Sequence, residues 1–158
     1  MEIATSRFGK ISATEDDLIR FPAGIIGFRG EKAFVLVPHG TSTLIGWLQS
    51  TSTPELAFPV VSAHGLVDEY PDVDVAKAAE RAGIGGTEEE LAVLAVMTAP
   101  LQQPATVNLL APLIVNATTR TGAQVFLEGS RFSTQELFAM PRPQPSAPVE
   151  SGERAVAR

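Results

Sequence analysis

Short apolar runs, either alternating or continuous and punctuated by Gly, Pro and Asn, dominate the chain and predict strands. "RFGKISA" (7–13) sets Phe8, Ile11 and Ala13 around Gly9, which predicts a bend or bulge. "DLIRFPAGIIGF" (17–28) is a short apolar run broken by "PAG" and Gly27. "AFVLVP" (33–38) is a continuous apolar strand stopped by Pro38. "IGWLQS" (45–50) and "LAFPVV" (56–61) flank "TSTPE" and predict a hairpin. "ELAVLAVMT" (90–98) is the most apolar run and should be a central strand. "AQVFLE" (123–128) follows "TRTGA", a hairpin-length turn containing Gly122. One segment differs. "DVAKAAERAGI" (74–84) is alanine-rich, with Asp74 placed to cap a helix start and Gly83 to end it, and Thr87 offers a second N-cap. The pattern predicts an all-β, mainly antiparallel, compact barrel-like domain over residues 1–139 with a short helical insertion. The proline-rich tail, 140–158, is expected to be disordered.

"TVNLLAPLIVN" (106–116) fits this scheme least well. It reads as a strand, yet Pro112 sits inside it and Asn108 and Asn116 mark its ends. Proline cannot donate to a ladder and is confined to edges, strand starts and bulges. Leu109, Ala111, Leu113 and Val115 give one wholly apolar face. Asn108, Leu110, Pro112, Ile114 and Asn116 form the other. The structural expectation is that both Asn side chains satisfy local backbone groups and that Pro112 ends a ladder. The functional alternative is an interrupted edge open to a partner segment, with Asn108, Pro112 and Asn116 as contact residues.

Composition narrows the class. A 158-residue chain, 44% hydrophobic and 19% charged, can bury one core. With no cysteine there is no disulfide and no thiolate metal site, which fits a cytoplasmic protein. No signal peptide and no membrane-spanning run are evident. The net charge of −6 is concentrated: residues 61–100 hold 2 Lys+Arg against 8 Asp+Glu. No basic stripe tracks a phosphate backbone, so direct nucleic-acid binding is not expected. The acidic excess would instead steer a basic partner. Within it, Tyr70 stands among Asp68, Glu69, Asp72 and Asp74. It reads either as an interface anchor or as a ring packed at a strand end with its hydroxyl in water. Trp47, Phe21, Phe28, Phe34 and Phe58 are expected in the core.

Catalytic signals are weak. His39 and His64 both fall in loop-like stretches, and His64 with Asp68 lacks a third spaced ligand. No nucleophile elbow, S-x-x-K or P-loop pattern occurs, and "GIGG" (83–86) follows no strand. The residues therefore indicate a non-catalytic domain, without cofactor or metal, that binds another macromolecule.

Four stretches, "TSRFGKI", "DLIRFPAGIIGF", "WLQSTSTPELAF" and "TVNLLAPLIVN", occur in an order and spacing that resemble the FliW family of bacterial flagellar assembly factors. The resemblance covers roughly residues 1–138. It implies a compact β-barrel-like fold and a non-enzymatic switch between two protein partners. One is CsrA, a small basic RNA-binding dimer that represses flagellin translation; the other is flagellin. The free protein would be a monomer. CsrA would be drawn to the carboxylates around Tyr70. The chain departs from the family pattern at "AHGLV" (63–67), at Glu69-Tyr70 in place of Asp-Tyr, and after Phe132, where no base follows at 134–136. These departures give weight to one alternative, a flagellin-dedicated chaperone without CsrA binding. A separate one, a small β-barrel ligand-binding domain or enzyme, would need a convergent polar cluster, for which His39 and His64 are the only candidates.

Overall fold

A computed structural model describes residues 1–63, 66, 70 and 73–138. The chain runs β1 (Glu2–Thr5), β2 (Gly9–Ser12), β3 (Leu18–Arg20), β4 (Ala33–Pro38), β5 (Ile45–Ser50), β6 (Ala57–Ser62) and α1 (Val75–Arg81). It continues through β7 (Leu91–Thr98), β8 (Ala105–Val107), β9 (Leu113–Asn116), β10 (Thr121–Gln124) and β11 (Glu136–Phe138). The expected all-β barrel with one helix is what forms. Strands β3 to β7 pair in chain order, β7 also pairs β9, and β9 returns through β10 to β3, closing the ring. All these pairings are antiparallel except β10 with β3, where Thr121 stands beside Arg20. That seam is held by Arg20 N–H donating to the Arg120 carbonyl at 2.9 Å and by the Arg120 guanidinium donating to the Asp17 carbonyl at 2.9 Å.

The barrel interior is apolar. Phe21, Phe34, Leu48, Val60, Leu113 and Val115 meet there, and the Phe21 and Phe34 rings stack edge to face at 5.5 Å. Gly122 belongs to β10 rather than to a turn. A Cβ on it would lie 2.8 Å from the buried Phe21 ring, so this strand position requires glycine. Outside the barrel, the β1–β2 hairpin lays Ile3 and Ile11 over Leu18, Val35 and Val37. The chain pattern did not announce β1. Helix α1 covers Leu91 and Ile114 through Ala79. Asp74 caps it by accepting from Lys77 N–H at 3.1 Å, and Gly83 follows its end at φ +79°. Thr87 caps a 3-10 turn over Glu88–Glu90, as expected.

Three expectations change. "TVNLLAPLIVN" is not one strand, because β8 and β9 lie along the same edge of β7 with an excursion between them. Residues 108–112 stand opposite only Ala95 and Val96, three more than a regular ladder would hold. Both faces are covered toward its end, since Pro112, Ile114 and Asn116 are buried along with Ala111, Leu113 and Val115. The 123–128 strand begins at Thr121 and stops at Gln124. Of the aromatic residues assigned to the core, Phe28 is 41% exposed. Trp47 is half-buried on the outer face, with the Arg7 guanidinium 4.1 Å above its ring.

Two loops are fixed tightly. Gly24 holds φ +71°, and a Cβ there would fall 2.5 Å from the Arg29 backbone. At the end of β5, Gln49 is fully buried and braces the following loop, donating its amide to the carbonyls of Ser50 and Leu56 at 3.0 and 3.1 Å. The Glu31 carboxylate accepts from Ser50 Oγ at 2.6 Å, from Ser52 Oγ at 2.9 Å and from Thr53 Oγ1. Hydrogen bonds from Ser50 and Thr53 hold its carboxyl below the usual range.

Two outcomes follow. Gly24→Ala should lower stability by about 2 kcal/mol or more, because left-handed backbone and collision add. Gly30→Ala, where nothing lies within 4 Å, should be near neutral in the same urea titration. The depressed Glu31 carboxyl stabilises the fold above its unfolded-state value and loses that contribution as pH falls through the folded one. Glu31→Gln should therefore be less stable than the native chain near neutrality, with the gap closing below about pH 4. Chemical denaturation across that range measures it.

Candidate partner-binding face

The bulge between β8 and β9 organises this face, and its backbone groups can be followed one by one. Asn108 N–H donates to the Val96 carbonyl at 2.9 Å, the last ladder bond before the chain leaves β7. Leu109 and Leu110 N–H both donate to the Ser133 carbonyl, at 3.1 and 3.2 Å. Ala111 N–H donates to Asn108 Oδ1 at 2.9 Å. Pro112 has no N–H to place. The carbonyls of Leu109, Leu110, Ala111 and Pro112 accept from Tyr70 Oη, Leu127 N, Gln124 Nε2 and Val125 N at 3.1, 2.8, 2.9 and 2.9 Å. Every donor and acceptor from 109 to 112 is thus paired, as buried backbone requires.

Tyr70 is consequently a core residue. It is 6% exposed, its hydroxyl donates to Leu109 rather than to water, and its ring meets Phe132 edge to face at 5.2 Å. The Arg131 guanidinium lies 4.6 Å over the outer side of Phe132. No base follows Phe132 at 134–136, and the cation beside its ring comes from the residue immediately before it. Asp74 is exposed, and its carboxylate is shared between capping α1 and Lys77 Nζ at 4.0 Å. Asp68, Glu69, Asp72 and His64 lie outside the described residues, as does the 140–158 tail.

The structure brings Tyr70, Asn108 and Pro112 together at the bulge but sets Asn116 apart. Asn116 Oδ1 accepts from Thr118 and Thr119 N–H at 2.9 and 3.0 Å, shaping the turn into β10. Its Nδ2 donates to the Gly85 carbonyl at 3.2 Å, tying down the segment after α1. Both Asn side chains thus satisfy local backbone groups. Beside this turn, hydrogen bonds from Thr87 hold the Glu90 carboxyl below its ordinary range.

For other chemistry the described residues offer little. Exposed His39 accepts from Trp47 Nε1 at 3.3 Å. Among the described residues no three His, Cys, Asp or Glu side chains converge as metal ligands, and no helix is long and apolar enough to cross a membrane. Among the described residues the geometry is that of a buried tyrosine held by its hydroxyl and ring to a fully paired bulge.

Comparison with known proteins agrees along almost the whole fold. The family described as FliW protein matches residues 2–138. A flagellar assembly factor FliW of Desulfitobacterium hafniense (strain DSM 10664 / DCB-2) is 36% identical over 157 residues, covering 97% of this chain and 100% of that protein. Another, from Geobacter sulfurreducens, is 36% identical over 138 residues, or 87% and 86% of the two chains. A crystal structure of the flagellar assembly factor FliW superposes with a TM-score of 0.75 at 33% identity, covering 87% of this chain and 96% of that one. With barrel, motif order and relatives in agreement, the chain belongs to the FliW family of flagellar assembly factors.

Proposed function

We propose that this chain acts in the cytoplasm as a non-enzymatic switch that binds CsrA and flagellin, and that its capture of CsrA relieves repression of flagellin translation. One observation carries the reading: Tyr70, which the sequence sets within the acidic stretch 68–74, is pinned. The Tyr70 hydroxyl on Leu109 and the Phe132 ring against Tyr70 fix that residue to the bulge. Four carboxylates flank a buried tether within seven residues, in a chain whose acidic excess lies in that region. A basic dimer is attracted by the charge. Pre-ordering at Tyr70 lowers the entropy lost on binding. Flagellin occupies the protein while it remains in the cytoplasm, and its export frees the protein to capture CsrA.

Titration calorimetry of the purified chain against CsrA, and then flagellin, of the same organism tests the reading. Binding to both supports it. Binding to flagellin alone would replace it with a dedicated flagellin chaperone, and binding to neither would remove both.

Charge and tether separate by substitution. Asp68→Lys with Asp72→Lys should weaken CsrA binding about tenfold or more and flatten its salt dependence; an unchanged Kd would place the contact elsewhere. Tyr70→Phe keeps the charge and leaves the Leu109 carbonyl without its hydroxyl donor. It should cost about 1–2 kcal/mol of stability in urea denaturation.

A further inference from the structure

The loop between β3 and β4 is more constrained than a connection needs to be. Gly24 N–H donates to Phe21, Phe28 N–H to Ile25 and Glu31 N–H to Phe28, at 2.8, 2.7 and 3.1 Å. Lys32 Nζ reaches back to the Pro22 carbonyl at 2.9 Å. Ile25 is buried beneath it. Yet this rigid loop turns Ile26 outward at 69% exposure and Phe28 at 41%. A third exposed apolar side chain, Phe126 at 60%, stands on the segment after β10. Gln124 borders both. It accepts from Ile26 N–H at 2.9 Å and, with Phe126 and Arg81, lines a cleft of about 340 Å³ on the flank of α1. Exposed apolar side chains held on fixed backbone mark interaction sites, because binding costs them little further ordering.

The rim is positive in a chain of net charge −6. Arg29 and Lys32 lie in the loop, and Arg81 lies across the cleft. The Glu31 carboxylate stays charged but is directed at the hydroxyls of Ser50, Ser52 and Thr53, so three cations stand against two carboxylates, Glu31 and Glu128, and the balance is positive. Glu128 is the one carboxylate lining the cleft among the described residues.

We propose that Ile26, Phe28 and Phe126, rimmed by Arg29, Lys32 and Arg81, form a docking surface for a protein segment with an apolar face and acidic flanks. Its chemistry is opposite to that of the 68–74 stretch, so it selects a different partner. It stands independently of the CsrA and flagellin assignment.

The test uses the full chain and two labelled synthetic helices of about five turns, one of Leu and Glu, the other of Leu and Lys. Fluorescence anisotropy should show the Leu/Glu peptide binding the native chain. It should weaken about tenfold or more on Ile26→Ser with Phe126→Ser, and several-fold on Arg29→Glu. The Leu/Lys peptide should respond to neither change. All three positions are exposed, so thermal midpoints should stay close to native, and Arg29→Glu removes no apolar contact. A native chain that ignores the Leu/Glu peptide, or equal binding by native and substituted chains, overturns the surface. Equal loss for both peptides overturns its preference for acidic flanks.

Discussion

The structure depends on a backbone constraint: three surplus residues must leave the edge of β7 without stranding a buried peptide group. Strand β7 gives one edge to two partners, β9 for barrel closure and β8 for the sheet extension. Without a bulge those two would be one strand, and the wing carrying β8 and β11 would follow the barrel wall. The excursion re-aims it, as bulges do. Its cost is seven peptide groups that a ladder no longer satisfies, and each has been given a specific partner outside β7. Proline suits position 112 for the same reason. It removes the donor that would have been eighth.

Those partners explain why distant segments lie where they do. Ser133 holds the approach to β11, Val125 and Leu127 hold the chain after β10, and Tyr70 holds the acidic segment. None of these contacts could be read from local pattern, because each satisfies a group dozens of residues away or across a turn. What was legible was whatever had a local cause. The apolar run at 33–38 became β4 residue for residue, the 45–50 and 56–61 pair became a hairpin shifted by one residue, and Asp74 capped its helix. The two Asn side chains were placed correctly because Asn bonding nearby backbone is itself local.

The misreadings share one origin. Tyr70 sits among carboxylates, so composition suggested a surface; a carbonyl freed by the bulge took its hydroxyl and drew the ring inside. Phe28 sits in an apolar run, so composition suggested a core. The turn that buries Phe21 and Ile25 must project alternate residues, and Phe28 is left resting edge-on against Phe58 at 5.2 Å. Hydrophobicity states what a residue would prefer, but backbone satisfaction decides which preferences can be met together. The seam between β10 and β3 is the same case, because nothing local in Arg120 or Asp17 announces that a guanidinium will span the closure.

The bulge also connects Tyr70 to the β3–β4 loop. From Tyr70 the path runs to the Leu109 carbonyl, through Ala111 to the Gln124 amide, and from Gln124 Oε1 to Ile26 N–H. Tyr70 and the apolar loop thus share one hydrogen-bonded frame. A continuous path alone does not make coupling; coupling needs an element with two arrangements that both sites bias. The fully paired bulge argues for the opposite role. Because no group from 109 to 112 is left to exchange partners, shifting it would strand several buried polar groups at once, at about 1–3 kcal/mol each. The frame therefore favours a fixed arrangement of Tyr70 and the β3–β4 loop, so that partners proposed at either would be addressed separately. Communication between partners would then come from steric overlap or charge across the surface, rather than from rearrangement within the fold.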